Sequence, residues 1–211
     1  MMKLQRDTVL QAALDLLNEV GMDGLTTRKL AERLGVQQPA LYWHFKNKRA
    51  LLDAMAEMML ADRHARALSR PEEGWRAFLA ENARSFRQAL LAYRDGARIH
   101  AGTRPSDGQS GTAEAQIRFL NDAGFSVTDA AYALVSISHY TVGAVLEQQA
   151  YESDAADRTA GARLPPLLDQ VLAHFHHAGP EAAFEYGLGV ILDGLEKKRR
   201  PGRPARPRSR A

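Results

Sequence analysis

Eight polar side chains stand out in this 211-residue sequence because their segments are otherwise apolar: His64, Asn82, His100, Thr103, Arg104, Gln116, His139 and Glu147. Imidazole, amide and hydroxyl groups in such places satisfy a partner, hold a ligand or, for His and Glu, ligate a metal ion. Taken singly, each is more often a satisfied core residue or a surface group than a ligand contact. The run His174-Phe-His176-His177 adds three imidazoles. Its spacing does not match the helical His-Glu-x-x-His of a zinc hydrolase, and no nucleophile–base pair is legible. Histidine near a helix C-terminus is favoured by the helix dipole alone. There is no cysteine, which removes disulfides, thiolate metal sites and a thiol nucleophile. An enzyme is not expected.

A second group lies nearer the N-terminus, in Gln38-Pro-Ala-Leu-Tyr-Trp-His44. Leu41 can face inward with Leu30 and Leu34, but Gln38, Tyr42, Trp43 and His44 cannot all be buried. A Gln38 amide matches an adenine edge, and an Arg28 guanidinium matches guanine N7 and O6. Pro39 and Ala40 can touch a thymine methyl. Thr26, Thr27, Tyr42, Asn47 and Lys48 can donate to phosphates, which position without specifying. Trp43 and His44 belong to the same surface, undecided between base and phosphate. An ordinary three-helix cap with surface aromatics is the alternative. Adjacent exposed aromatics on so short a segment favour DNA.

The elements that must position these groups are helical throughout. Val9, Ala13, Leu16, Leu17 and Val20 recur at helical spacing, and Gly21 and Gly24 break the pattern. Thr26 or Thr27 can cap a second helix that Gly35 stops in a left-handed conformation. A third starts near Gln38, with Pro39 in its first turn, and ends near Phe45. Asn47 caps a longer one carrying Leu51, Leu52, Met55 and Met59. A short helix, glycine turn and second short helix is the geometry that lays a helix in a major groove. Beyond it we expect helices over 75–91, 96–101, 112–123, 127–150, 166–177 and 181–198. Ser106–Gly111 reads as a loop and 151–163 as a mobile stretch. The fold class is all-α: a three-helix helix-turn-helix DNA-binding domain at 1–47, then a ligand-binding and dimerisation domain at 48–198, about ten helices in all. A basic tail at 199–211, rich in proline, should be disordered.

Charge divides the same way. The chain is +3 overall, but its last fifteen residues carry eight Lys or Arg and no acid. Residues 1–50 hold eight bases and five acids, which leaves 51–196 near −8. Basic ends and an acidic middle fit a small DNA-contacting head on a body with another task. Apolar runs fall short of a membrane span, and no secretory leader opens the chain, so a cytoplasmic location is the default. Arg-Pro-Gly-Arg-Pro at 200–204 only approaches a minor-groove hook, and a frayed basic end is the simpler reading.

Residues 24–36 (Gly-Leu-Thr-Thr-Arg-Lys-Leu-Ala-Glu-Arg-Leu-Gly-Val) and 38–53 (Gln-Pro-Ala-Leu-Tyr-Trp-His-Phe-Lys-Asn-Lys-Arg-Ala-Leu-Leu-Asp) resemble the DNA-binding domain of the TetR family. Asn82–Arg87, Tyr93–Pro105 and Thr141–Gln149 resemble the drug-binding core of its tetracycline-responsive members. The resemblance runs to about residue 198.

It implies a homodimer on a palindromic duplex operator, released when a tetracycline-class antibiotic enters as its Mg²⁺ chelate, derepressing an efflux gene. By that match His100 is the direct metal ligand, with Thr103 and Glu147 holding metal-bound waters. Mg²⁺ keeps several waters and rarely has a full protein cage. His64, Asn82 and Gln116 match residues bonding the drug's far polar end. Phe86, Leu134, Ile137 and Pro105 match apolar walls, with His139 and Arg104 beside them. Leu168, Leu172 and Phe175 match a closing helix given by the second subunit. The segment before it is about two residues shorter than in the relatives. A repressor of this fold sensing another compound is the nearest alternative, and a sequence-blind binder driven by the arginine tail is another.

Overall fold

A computed structural model describes residues 4–103, 107–153 and 164–199. Among them are nine helices and no strand: α1 Arg6–Gly24, α2 Thr27–Leu34, α3 Pro39–Tyr42, α4 Lys48–Arg63, α5 Trp75–Leu91, α6 Gly96–His100, α7 Asp107–Asp122, α8 Val127–Ser153 and α9 Pro166–Glu196. The caps read from sequence form. Thr26 Oγ1 accepts from Lys29 N at 3.2 Å, and Asn47 Oδ1 accepts from Ala50 N at 2.9 Å. Gly35 ends α2 at φ 64, ψ 30, where a side chain would be strained.

Two boundaries differ from expectation, and the break at Gly179–Pro180 does not. The two helices expected at 166–177 and 181–198 run under one label, α9, but Gly179 (φ 77, ψ 170) is non-helical and divides them, with Pro180 just after. Proline opens the second helix, where its missing N–H costs no hydrogen bond. Helix α7 starts at Asp107, inside the expected loop. Glycine costs about 1 kcal/mol in an exposed helix, too little to stop one growing back toward residue 107 when no proline intervenes. Helix α3 stops at Tyr42, and its end tightens through Leu41 O, which accepts from both His44 N and Phe45 N at 3.0 Å. The expected mobile stretch, apart from 151–153, which continue α8, and the tail from residue 200 lie outside the described residues. No helix among the described residues is long and apolar enough to cross a membrane.

Three clusters of buried side chains hold the chain together. The first packs Val9, Leu10, Leu14 and Leu17 of α1 against Leu30, Leu41 and Phe45, and continues through Leu51, Met55 and Met59 of α4 to Tyr93 and Ile99. The head therefore shares one apolar core with the start of the body. The second joins α5, α7, α8 and α9 around Phe78, Leu79, Leu120, Phe125 and Leu188. The third is small: Phe86, Leu90, Ala97 and Val145. Polar ties fix α9 to α5, with Arg84 donating to both carboxylate oxygens of Glu185 at 2.7 and 2.6 Å. That pairing pulls the Glu185 carboxyl below its ordinary range.

Candidate functional site

The N-terminal surface is built by burying Leu30, Ala31 and Leu41, with Leu34 packed against them, and leaving the charged face of α2 and most of α3 outside. Four residues of α3 suffice to anchor Leu41 and to turn Tyr42 and Trp43 outward, Trp43 at 87 % exposure. Burying such a ring is worth about 1.5–3 kcal/mol or more, so two adjacent aromatics, Tyr42 and Trp43, are left with apolar area uncovered. Arg28 pairs with Glu32 at 3.1 Å, both largely exposed, a contact weak enough to give way to a base or phosphate. Gln38 Nε2 donates to Thr27 Oγ1 at 2.8 Å, which pre-orients that amide across the α2–α3 turn. Pro39 is exposed, Ala40 half-buried, and His44 half-buried beside Phe45. Thr26 and Asn47 spend their side-chain oxygens on helix caps. Lys48 Nζ donates to Leu25 O at 3.0 Å and so ties the start of α4 to the turn before α2.

The second constellation centres on Phe86. Its ring lies 5.8 Å from the His64 ring and 5.0 Å from the His100 ring, the latter edge-on. On the His64 side the groups are amides and carbonyls. Asn82 Nδ2 donates to Arg66 O at 2.9 Å, Gln116 Nε2 donates to Ala67 O at 2.6 Å, and Ser85 Oγ sits 3.0 Å from His64 Nδ1. Burial pushes the His64 imidazole down to about 4, so it is neutral at physiological pH.

On the other side His100 and Thr103 line a cavity of about 210 Å³ with Asp53, Glu57 and Gln109. His100 Nδ1 is buried and has no hydrogen-bond partner, and burial lowers that imidazole's pKa as well. Thr103 Oγ1 donates to His100 O at 2.7 Å, closing the end of α6. An orphaned buried nitrogen on a neutral ring is a chemically sound metal ligand. No group of three or more His, Cys, Asp or Glu among the described residues could cage an ion. The donor set thus fits an ion that brings most of its own ligands.

The remaining expected residues are spread wider. Leu134 and Ile137 of α8 belong to the second apolar cluster, not to the one around Phe86. His139 and Glu147 are exposed on α8. Leu168, Leu172 and Phe175 are exposed on the first half of α9, with Leu167 and Val171, and Leu164 is exposed just before it. Arg104 and Pro105 lie outside the described residues.

The sequence reading missed four residues. Ser85 sits one turn after Asn82 on α5, beside the His64 ring. Arg49 donates to the backbone carbonyl of Gly102, joining the first turn of α4 to the end of α6. Asp95, left-handed at φ 56, accepts from Met22 N at 2.7 Å through Oδ2. That amide is free because Gly21, at φ 70, breaks α1 just before it. Arg98 reaches Asp23 at 2.9 Å and holds its carboxyl below the ordinary range. Helix α6 is therefore bonded to α1 at its start and to α4 beyond its end.

Residues 9–55 match the family model described as bacterial regulatory proteins, tetR family, and residues 68–199 match tetracyclin repressor-like, C-terminal domain. The chain is 67 % identical over 202 residues to the class A tetracycline repressor protein from transposon 1721 of Escherichia coli, covering 94 % of each. It is 62 % identical to the Escherichia coli class C tetracycline repressor protein over 205 residues, again covering 94 % of each. Among solved structures it is similar to TetR(class A) in complex with 5a,6-anhydrotetracycline and magnesium, at TM-score 0.77 and 60 % identity, covering 93 % of this chain and all of that one.

Proposed function

The chain belongs to the TetR family of bacterial transcriptional regulators, a tetracycline-responsive repressor and not an enzyme, and from that premise we propose how its parts divide the work. Residues 1–47 read a palindromic duplex operator, and residues 48–198 bind the drug as its Mg²⁺ chelate and form a homodimer. Residues 199–211 are an appended basic tail. The regulated gene is one for tetracycline efflux, and the protein works in the cytoplasm. On the DNA surface Arg28, Gln38, Pro39 and Ala40 meet base edges. Thr26, Thr27, Tyr42, Asn47 and Lys48 meet phosphates, and Trp43 and His44 complete the surface.

One observation supports the sensor reading above the others: Phe86 stands between two neutral imidazoles, one set among amides and the other with an unpartnered nitrogen. An elongated ligand with a hydrogen-bonding edge and a metal-chelating edge suits that arrangement. His64, Asn82 and Gln116 bind the first edge, while His100 takes the metal, with Thr103 and Glu147 as holders of its waters. Bound Mg²⁺ supplies a hard cationic centre that links the drug's oxygens to this end of the pocket. Phe86, Leu134, Ile137 and Pro105 wall the drug, with Arg104 and His139 alongside. Leu168, Leu172 and Phe175 close over it from the second subunit, and their exposure of 45, 44 and 57 % in the single chain supports that assignment.

The switch follows from the bonds of α6. A pull on His100 and Thr103 is felt at Gly102, whose carbonyl Arg49 holds, and Arg49 stands next to Lys48 at the start of α4. Turning α4 swings each head away from half-sites one helical turn apart. Near-complete release requires the drug to favour the released state by about 5.5 kcal/mol.

A gel shift on a palindromic tetracycline operator tests the whole reading. Retardation should vanish with tetracycline plus Mg²⁺ and persist with either alone. Release by tetracycline in the presence of a chelator would reject the metal assignment.

A further inference from the structure

Ser85 is buried on α5, and the function above does not use it. Its oxygen lies 3.0 Å from His64 Nδ1 and accepts from Arg66 N at 3.2 Å. The neighbouring bonds fix where the imidazole proton must be. Arg66 O can only accept, so the Asn82 atom 2.9 Å from it is the amide nitrogen. That same nitrogen lies 3.3 Å from His64 Nε2. An amide NH₂ has two hydrogens and no useful lone pair, so Nε2 must be the acceptor. A neutral imidazole carries one N–H, which is therefore on Nδ1 and points at Ser85 Oγ. The opposite tautomer would set an N–H against an N–H at Nε2. Flipping the Asn82 amide would instead set two oxygens against each other at Arg66.

We propose that Ser85 is a positioning residue for this site: by accepting from Nδ1–H it holds neutral His64 in one tautomer, with Nε2 as the ring's acceptor, facing Asn82 Nδ2. A ligand hydroxyl or enol O–H that takes the place of the Asn82 N–H can donate to that nitrogen with no change of tautomer. A ligand oxygen that only accepts must first have the proton moved from Nδ1 to Nε2 and the Ser85 contact given up. The corner therefore selects donors. This consequence rests on the sensor reading of the pocket, but the tautomer does not.

The test is ¹⁵N NMR on the histidine-labelled full chain without drug, near neutral pH, with His64→Asn identifying the His64 signals. We expect a pyrrole-type signal for Nδ1 and a pyridine-type signal for Nε2, and the reverse pattern would overturn the proposal. In Ser85→Ala the two signals should move toward each other as the Nε2–H form gains population. An unchanged pattern would remove Ser85's part. Asn82→Leu removes the donor facing Nε2 and should likewise move the two signals toward each other, a check that holds even if Ser85→Ala does not fold. Loss of tetracycline binding with the tautomer intact would fault the sensor reading, and the converse would fault this proposal alone.

Discussion

His64 is half-buried among Phe86, Ser85 and Asn82, and its surroundings strip the proton from the ring. The sign of the resulting pH effect is fixed. Above about pH 6.5 the imidazole is neutral in both folded and unfolded chains. Between 6.5 and about 4 the unfolded chain binds the proton and the folded one does not, so stability falls as pH falls through that window. Below about 4 both are protonated and the slope ends. At the acid end the loss approaches about 3 kcal/mol for this one group. His100 is shifted the same way by its own burial and steepens the decline. Urea midpoints from pH 7.5 to 4.5 should fall less in His64→Asn than in the parent protein. Parallel curves for the two would show that His64 titrates normally when folded.

At the scale of the element, α6 is five residues long and has no room to move at its start. A Cβ on Gly96 would lie 2.1 Å from Leu90 O, a backbone atom that cannot turn aside. Overpacking of this kind typically costs about 1–3 kcal/mol. Gly96→Ala should lower the denaturant midpoint accordingly and loosen Asp95 from Met22, and an unchanged midpoint would mean the α5–α6 corner yields. Little of this corner was legible beforehand. The sequence announced a short helix between Asp95 and Gly102, because Gly, Arg-Pro and the polar flanks are local signals. It did not announce Asp95–Met22 or Arg98–Asp23, whose partners lie more than seventy residues apart. The caps at Thr26 and Asn47 and the Gly35 stop were legible for the opposite reason, since each depends on three or four consecutive residues. The break at Gly179-Pro180 was legible for the same reason, since glycine takes the non-helical φ and proline opens the helix that follows. In the pocket, His64, Asn82 and His100 were visible as polar exceptions. Ser85 was hidden because a serine inside an amphipathic helix draws no notice until its neighbour's ring is placed.

The whole chain leaves apolar surface uncovered on the first half of α9. Leu167, Leu168, Val171, Leu172 and Phe175 are all exposed along one helical stretch, with Leu164 just before it, and Tyr132, Val135, Tyr186 and Val190 are exposed on α8 and the later part of α9. A single chain gains nothing from ordering such a helix, whereas a second copy burying it gains roughly 1.5 kcal/mol or more per side chain. Leu168→Ser with Leu172→Ser should leave operator binding in place and weaken tetracycline binding, read by drug fluorescence. Complete loss of operator binding instead would place these residues in the contact that makes the dimer, not in the cover of the pocket.

That uncovered half-helix also has a genetic side. If each pocket is closed by the other subunit, a chain with an intact body and a broken head does not simply fail. It takes up a working chain, fills both halves of the closure, and leaves the pair with one DNA grip where the operator asks for two. Head mutations in this protein should therefore be dominant over the normal copy, whereas changes that unfold the body, and so prevent pairing, should be recessive.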